Sequence, residues 1–318
     1  MPFGLCNAVA TFQRYMNEIL KEMTGFKVAV YVDDLIVGDS TIEQMFCALN
    51  KMFSVLAKRH LFVKLKKCVW TQRQVKFLGH CLSQGQLSVD VEKVRAVKEW
   101  PEPTCRRQLR AFLGFAGYYR KFVANFSSVV KPLNLLTSDK IAFIFGPDQI
   151  KSFNSLKSAL SSTPILATPI ENSPFILDVD ASYEGLGAVL SQKDENGVER
   201  VFEYYSRSVS SAERNYCITR LELLSLVSAT KHFHHYLAGT PCLVRTDHSA
   251  LTWLKSFRRV EGQLARWIES LQNYQLKIEY RPGKVHNNAD ALSRINCRVS
   301  CPCKQEKMQR VMVISSKG

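Results

Sequence analysis

Hydrophobic and polar positions in the first 170 residues follow two periods, one near 3.6 and one near 2, which indicates helices mixed with short strands. The pattern predicts, in chain order, a helix around Ala8–Met23, a hairpin over Lys27–Val37, an amphipathic helix over Ser40–His60, short strands over Phe62–Leu87 and a helix over Asp90–Trp100. Prolines make Thr137–Pro174 less regular, and a strand near Ile141–Phe145 and a helix near Asp148–Leu160 are predicted there.

The pattern changes near Glu171, where we place the main domain boundary. Five strands are predicted beyond it, at Phe175–Asp180, Gly187–Gln192, Val201–Tyr205, Cys242–Thr246 and Leu276–Tyr280. Helices are predicted at Ala212–Leu237, at Leu264–Tyr274 and from Asn288 onward. The first of these is apolar almost all round, so we expect it to be buried. This order of elements predicts a mixed sheet flanked by helices.

One helix, predicted over Cys105–Val123 with Thr104 as its N-cap, has two contrasting faces. Its apolar face contains Leu109, Phe112, Leu113, Ala116, Tyr119 and Val123. Its opposite face contains Arg106, Arg107, Arg110, Gly114, Gly117 and Lys121. Glycine inside a helix costs roughly 1 kcal/mol against alanine, so two glycines among arginines indicate a groove that a nucleic-acid backbone approaches closely. The alternative is a solvated face with helix-packing glycines.

Charge strengthens the nucleic-acid interpretation. The 318 residues contain 43 Lys and Arg against 28 Asp and Glu, a formal net charge of +15. Lys51–Lys131 alone contains 17 basic and 4 acidic residues, so about a quarter of the chain carries a net +13. A basic surplus of this size favours a polyanionic partner.

Composition limits the other classes of protein. Hydrophobic residues make up 46% and charged residues 22%, so we expect the chain to fold. Its length of 318 residues suits two or three domains. The sequence has no apolar run of membrane-spanning length and no signal-peptide pattern, and its cysteines mostly lie singly in apolar stretches. We therefore expect an intracellular protein, cytoplasmic or nuclear and not secreted, with reduced cysteines and no membrane partner.

Four carboxylates are candidates for shared chemistry. Asp180 and Asp247 end predicted strands, Glu222 lies in the buried helix, and Asp290 opens the last helix. Clustered acids repel one another without a cation, and two Mg²⁺ ions about 4 Å apart would relieve that repulsion and support phosphodiester hydrolysis. Taken alone, Asp180 or Asp247 could equally be a turn or cap residue, and Asp290 a helix N-terminal residue.

Eight stretches identify a family resemblance that covers residues 1–297. They are MPFGLCNAVATFQRYMN, YVDDLIVGDS, KFLGHCLSQGQLSVD, WPEPTCRRQLRAFLGFAGYYRKF, DVDASYEGLGAVLSQ, LELLSLV, VRTDHSAL and YRPGKVHNNADALSR. In this order they resemble the reverse transcriptase and ribonuclease H region of a Ty3/gypsy-type LTR retroelement Pol polyprotein. The resemblance implies an α+β chain that has a truncated polymerase palm with a helical thumb, followed by an RNase H-like α/β domain with a mixed five-stranded sheet. It assigns the palm to residues 1–90, the thumb to 91–137, the connection to 138–170 and RNase H to 171–297. Residues 298–318 lie beyond the resemblance and have no periodicity, so we expect a mobile tail there.

The resemblance also assigns roles to individual residues. It implies that Asp180, Glu222, Asp247 and Asp290 bind Mg²⁺, or alternatively Mn²⁺, and cleave the RNA strand of an RNA–DNA hybrid. Asp33 and Asp34 resemble two of the three metal-binding polymerase carboxylates. Nucleic-acid contacts are implied for the basic-faced helix and for Phe77, Leu78, Gly79 and His80. His286 is an auxiliary residue for product release or proton transfer, or an ordinary exposed histidine.

The polymerase part departs from the family pattern. The residues before Asp33 contain no Asp, and their only acids are Glu18 and Glu22. Only 32 residues precede Asp33, so by comparison with the family pattern we expect this chain to lack the third polymerase carboxylate and the fingers. Val9 stands where the family usually has proline. We expect RNase H activity on an RNA–DNA hybrid or primer–template and no polymerisation by this chain alone. One alternative is a catalytically inert nucleic-acid-binding protein, either a relic or a co-opted protein. Another is a subunit that forms a dimer or associates with a fuller reverse transcriptase.

Overall fold

The computed structural model describes residues 4–39, 41–83, 85–162, 164, 166–256 and 262–281. Its contacts divide the chain into two compact units, Met1–Gln84 and Gly85–Gly318. This division falls earlier than the boundary predicted at Glu171, and the assignment of palm, thumb, connection and tail stays a prediction. Asp290, His286 and the predicted last helix lie outside the described residues.

The first unit packs two helices against a hairpin. Its elements are α1 (Ala8–Leu20, continued by a 3₁₀ turn at Lys21–Met23), β1 (Val28–Tyr31), β2 (Asp34–Val37), α2 (Ile42–Lys58), a 3₁₀ turn at Leu65–Lys67, β3 (Gln74–Phe77) and β4 (His80–Ser83). Ile19 and Met23 pack with Val55 and Leu56 in its core. Apolar residues at helical spacing on both helices therefore explain this core.

The second unit begins with a mainly helical part. It comprises β5 (Gln86–Val89), α3 (Val91–Lys98), α4 (Arg106–Tyr118), a 3₁₀ turn at Arg120–Phe122, α5 (Phe126–Leu135), α6 (Pro147–Ser161) and β6 (Leu166–Ala167), which pairs with β5. Helix α5 and strand β6 were not predicted. Within the described residues, no helix is both long enough and apolar enough to cross a membrane.

The strand predicted at Ile141–Phe145 is wrong, because these residues form irregular backbone. Phe143 and Phe145 instead stack with their ring centroids 6.3 Å apart and pack against the core of the helical part. Pro147 then starts α6 at its first turn. The apolar residues that suggest a strand in the sequence therefore anchor a loop to the core.

The rest of the second unit is a sheet covered by helices. It comprises β7 (Phe175–Ala181), β8 (Gly185–Lys193), β9 (Glu199–Ser208), a 3₁₀ turn at Glu213–Asn215, α7 (Ile218–His232), α8 (His234–Leu237), β10 (Cys242–Thr246), a 3₁₀ segment at Ser249–Ser256, α9 (Gly262–Gln272) and β11 (Leu276–Tyr280). The strand order is β11-β10-β7-β8-β9. β10 runs parallel to β7 and β11, and β8 is antiparallel to β7 and β9. The predicted mixed five-stranded sheet is confirmed.

Strand β9 joins two hydrophobic cores within the second unit. Phe202 and Tyr205 pack in the core formed by the sheet and α7, whereas Val201 and Tyr204 pack against the core of the helical part. Alternation places the neighbours Val201 and Phe202, and likewise Tyr204 and Tyr205, on opposite faces of the strand. A β-bulge opposite Leu190 and Ser191 shifts the register between these two pairs.

Polar contacts reinforce this junction. The Arg120 guanidinium donates to the Ser206 carbonyl at 2.6 Å, and the Ser127 amide donates to the Ser206 hydroxyl at 3.0 Å. The Lys131 ammonium lies 3.4 Å from the Glu184 carboxylate in the turn between β7 and β8. The helical part is therefore attached to the sheet by backbone and side-chain contacts as well as by apolar packing.

The helix predicted over Ala212–Leu237 is interrupted in the structure. The Glu213 carboxylate accepts two hydrogen bonds from Arg207, at 2.8 and 3.0 Å, and a third from the Ser210 amide at 2.8 Å. These bonds hold a separate 3₁₀ turn, after which Tyr216 is extended and α7 begins. The hydrogen bonds from Arg207 lower the pKa of Glu213 to about 2.

We expect this ion pair to make stability depend on acidity. The ordinary pKa of Glu213 is 4.5, so the stabilisation is complete above pH 4.5 and is lost as pH falls toward about 2. Glu213→Gln should lower the free energy of unfolding at pH 7 by about 1–3 kcal/mol. It should also make that free energy depend less on pH between pH 4.5 and 2. Urea unfolding at several pH values measures this, with exposed Glu195→Gln as the control. If the free energy of unfolding changes with pH equally in wild type and Glu213→Gln, the Arg207–Glu213 ion pair is not the source of the pH dependence.

Candidate metal centre and nucleic-acid interface

Three of the four predicted carboxylates converge in the second unit. One oxygen each from Asp180, Glu222 and Asp247 lies within 4.8 Å of the others. Asp180 is 1% exposed and Glu222 2% exposed, whereas Asp247 is half-buried. In the part of the chain that the structure describes, no other group of three or more His, Cys, Asp or Glu side chains converges in this way.

The sheet topology brings the two aspartates together. β7 and β10 are parallel neighbours, and Arg245 pairs with Asp178 in their register. Two residues further along, the same register sets Asp247 beside Asp180 at the carboxyl edge of both strands. This edge is where ligands bind in sheets of parallel strands.

Helix α7 supplies the third carboxylate. The Ser225 hydroxyl lies 3.0 Å from the Asp180 carbonyl and 3.2 Å from the Gly187 carbonyl, so it fastens α7 to both β7 and β8. Glu222 lies three residues before Ser225 and therefore on the same face of the helix. The Ala181 amide donates to Glu222 Oε1 at 3.3 Å, which turns this carboxylate toward the end of β7.

The donor set fits a hard divalent cation. Carboxylate oxygens are the ligands that Mg²⁺ and Mn²⁺ prefer. Burial removes most of the water that would solvate Asp180 and Glu222, so three neighbouring negative charges repel strongly without a counter-charge. A divalent cation held by Asp180, Glu222 and Asp247 would supply that counter-charge.

The polymerase-like carboxylates lie on a hairpin in the first unit, as predicted. β1 and β2 are antiparallel, with Asp34 paired to Tyr31 and Asp33 in the turn, and both carboxylates are exposed. Gln13 on α1 supports this turn, because its side-chain oxygen accepts from the Val32 amide at 2.6 Å. Among the described residues, no third carboxylate completes a metal-binding group with Asp33 and Asp34.

A second hairpin contains the predicted contact residues Phe77, Leu78, Gly79 and His80. Phe77 and His80 form the last pair of the β3–β4 ladder, and Leu78 and Gly79 form its two-residue turn. Both turn residues have positive φ angles, 49° and 74°, as in the type I′ turns that suit hairpins. Their contact with nucleic acid stays a prediction.

The basic face of α4 makes contacts within the chain that the sequence does not show, and its binding of nucleic acid stays a prediction. Arg110 donates to the Thr137 carbonyl at 2.6 Å and to Asp139 at 2.9 Å, and Arg106 donates to the Ile141 carbonyl. These two arginines hold the loop after α5, which sequence spacing cannot show. Arg107 remains exposed.

Other positions on this helix also need correction. Cys105, not Thr104, is the N-cap, although the Thr104 amide donates to Gln108 at 2.8 Å. Lys121 lies beyond α4 in a 3₁₀ turn, 5.4 Å from the centroid of the Phe122 ring, and desolvation lowers its pKa. A methyl group added at Gly114 or Gly117 would meet no atom within 4 Å, so these glycines do not serve helix packing.

Comparisons with known proteins agree with this architecture. Residues 1–82 match the family model described as reverse transcriptase (RNA-dependent DNA polymerase). Residues 171–274 match the model described as the RNase H-like domain found in reverse transcriptase. The chain is therefore similar to a reverse transcriptase domain in its first part and to an RNase H-like domain in its last part.

Curated relatives are retrotransposon Pol polyproteins. The chain is 39% identical over 296 residues to the Retrovirus-related Pol polyprotein from transposon 297 of Drosophila melanogaster, and 39% identical over 307 residues to that from transposon opus. It is 34% identical over 299 residues to the Tf2-3 polyprotein of Schizosaccharomyces pombe. Each match covers 93% of this chain but only 28%, 30% and 22% of the respective relative.

Solved structures share the fold. The foamy viral protease-reverse transcriptase dRH in complex with double-stranded DNA aligns with a TM-score of 0.77 at 23% identity, covering 88% of this chain and 50% of that one. The foamy viral protease-reverse transcriptase in complex with an RNA/DNA hybrid aligns with a TM-score of 0.76 at 22% identity, covering 94% and 40%. The α+β fold is therefore that of a reverse transcriptase with an RNase H-like domain.

Proposed function

We propose that this chain hydrolyses the RNA strand of RNA–DNA hybrids with Mg²⁺, or alternatively Mn²⁺, and belongs to a Ty3/gypsy-type Pol polyprotein. The observation that carries this proposal is the convergence of Asp180, Glu222 and Asp247, two of them buried, at the carboxyl edge of parallel strands. Asp290 is the proposed fourth ligand and His286 the proposed auxiliary residue.

The residues of the site have distinct tasks in this reaction. A divalent cation held by Asp180, Glu222 and Asp247 would stabilise the negative charge that develops on the scissile phosphate and its leaving oxygen. Asp180 and Glu222 form the buried base of the site, where the Ala181 amide fixes the orientation of Glu222. Asp247 is half-buried and so forms the side from which a phosphodiester approaches.

The remaining residues support nucleic-acid binding. Foamy viral reverse transcriptases, which share the fold, have been solved with double-stranded DNA and with an RNA/DNA hybrid. The proposed partner here is an RNA–DNA hybrid or primer–template, contacted by exposed Arg107, by the open surface at Gly114 and Gly117, and by the hairpin at residues 77–80. Asp33 and Asp34, at the β1–β2 hairpin of the first unit, are the proposed polymerase-type carboxylates.

A cleavage assay tests the proposed hydrolysis. The purified chain should cut a labelled RNA strand annealed to DNA when Mg²⁺ is present, and EDTA should stop the cutting. Asp247→Asn should reduce cutting by about a thousandfold or more while hybrid binding persists, because the substitution removes a metal ligand and leaves the strands intact.

A matched substitution makes this result specific. Asp148→Asn makes the same chemical change on the exposed first turn of α6 and should leave cutting unchanged. Folded wild-type protein that binds hybrid but never cuts it would overturn the proposal and leave a nucleic-acid-binding protein in its place.

A further inference from the structure

One side-chain contact links the two elements that carry Glu222 and Asp247. Thr219 Oγ1 and His248 Nε2 lie 3.2 Å apart and share a hydrogen bond between α7 and the segment after β10. Thr219 lies three residues before Glu222, on the same face of the helix. His248 directly follows Asp247 in the chain. The bond therefore spans the metal centre from one ligand-bearing element to another.

The bond is unusual for a threonine in a helix. Helical threonine hydroxyls commonly return to a carbonyl three or four residues earlier. Thr230, in the same helix, does so, with its hydroxyl 3.0 Å from the Leu226 carbonyl. Thr219 is the second residue of α7, so no helical carbonyl lies three or four residues before it, and its hydroxyl makes a contact 29 residues away along the chain. Its hydroxyl therefore contributes a tertiary connection, whereas that of Thr230 contributes a local one.

The other end of the connection is itself fixed. The His248 amide donates to Thr246 Oγ1 at 3.1 Å, and the Arg281 amide donates to the Thr246 carbonyl at 2.9 Å. Thr246 is fully buried at the end of β10. With its backbone set in this way, the His248 ring links α7 to the rigid end of the strand.

We infer that Thr219 and His248 are positioning residues that hold Glu222 and Asp247 at the separation a divalent cation requires. Neither needs to touch the cation. Their bond joins α7 to the segment after β10 at the height of the carboxylates and so opposes the widening of the site that their mutual repulsion favours. The inference rests on the proposed function for its metal centre, but it predicts metal affinity and not the reaction itself.

Divalent-cation binding measures this effect directly. Thr219→Val removes the hydroxyl and keeps the shape, and His248→Ala removes the ring. Each should weaken Mn²⁺ binding, followed by electron paramagnetic resonance, by about 10–100-fold. The Mg²⁺ concentration for half-maximal hybrid cleavage should rise by the same factor, with little change in the rate at saturating Mg²⁺. The double variant should be no worse than the poorer single one.

Three controls separate positioning from general damage. Thr219→Ser and His248→Gln keep a group able to form the bond and should restore most of the affinity. Thr230→Val makes the same chemical change in the same helix, at a threonine whose hydroxyl bonds only within that helix. It should leave Mn²⁺ affinity unaltered even if it lowers the melting temperature. If Thr219→Val unfolds the chain, Thr219→Ala serves in its place.

The outcomes are distinguishable from a failure of the proposed function. Wild-type protein that binds Mn²⁺ but does not cleave hybrid refutes the reaction, while weaker binding by Thr219→Val and His248→Ala still supports the positioning role. The positioning role is refuted if Thr219→Val and His248→Ala both bind Mn²⁺ as tightly as wild type. It is also refuted if the double variant loses the affinity lost by one single variant plus that lost by the other. Absence of Mn²⁺ binding by wild type also overturns it.

Discussion

Asp180→Asn is expected to abolish hybrid cleavage and yet to stabilise the protein when no divalent cation is present. The substitution keeps the shape of a side chain that is 1% exposed and removes one of three clustered negative charges. Cleavage should fall by roughly a thousandfold or more. The midpoint of thermal unfolding in EDTA should rise by about 2–4 °C for each kcal/mol of repulsion removed.

Thermal unfolding with and without Mg²⁺ gives the second half of the test. Mg²⁺ should raise the midpoint of wild type, because a ligand that binds only the folded state stabilises it, and it should raise that of Asp180→Asn much less. Asp148→Asn, exposed on α6, serves as the matched control and should follow wild type. A variant that still cuts hybrid, or that melts lower in EDTA and responds fully to Mg²⁺, would refute the role of Asp180.

A chain shortened to begin at Glu171 is expected to lose most of its stability, whereas one that begins at Gly85 should keep it. The first cut removes the helical part that covers Val201 and Tyr204 of β9 and the Arg120 and Ser127 contacts with Ser206. The second follows the division between compact units. The sequence-predicted domain border at residue 171 therefore passes through a packed junction.

A point substitution tests the same junction in the full chain. Phe126 begins α5, is 8% exposed and belongs to the core that receives Tyr204. Phe126→Ala should cost about 3–5 kcal/mol and should accelerate amide hydrogen exchange in β9 as well as in α5. Leu135→Ala, exposed on the same helix, is the control. Unchanged exchange in β9, together with a stable chain from Glu171, would show that the sheet folds independently.

The local sequence pattern predicts an element correctly where the residues that begin and end it stand close together in the chain. Strands β10 and β11 have the predicted limits, and α7 is buried, as its nearly continuous apolar surface implies. The predicted hairpin with Asp33 in its turn is also present. In each case, the residues that decide the structure lie within a few positions of one another.

Tertiary partners account for what the sequence did not reveal. Arg106 and Arg110 are spaced like a phosphate-binding face, but they contact a loop about thirty residues away. The convergence of three carboxylates follows from motif order and strand direction, so it was predictable. The bond between Thr219 and His248 was not, since only the folded chain brings α7 beside the end of β10.

The two-sided packing of β9 also limits how this sequence can diverge. A strand with one solvated face accepts polar replacements at every second position, but all residues from Val201 to Arg207 are at least partly buried. Few exchanges there can be neutral, and those that survive should occur together with changes in α5. The irregular stretch around Ile144, which is 70% exposed, has no such constraint. Lineages of this chain should therefore accumulate insertions in that loop while the strand retains its length and apolar character.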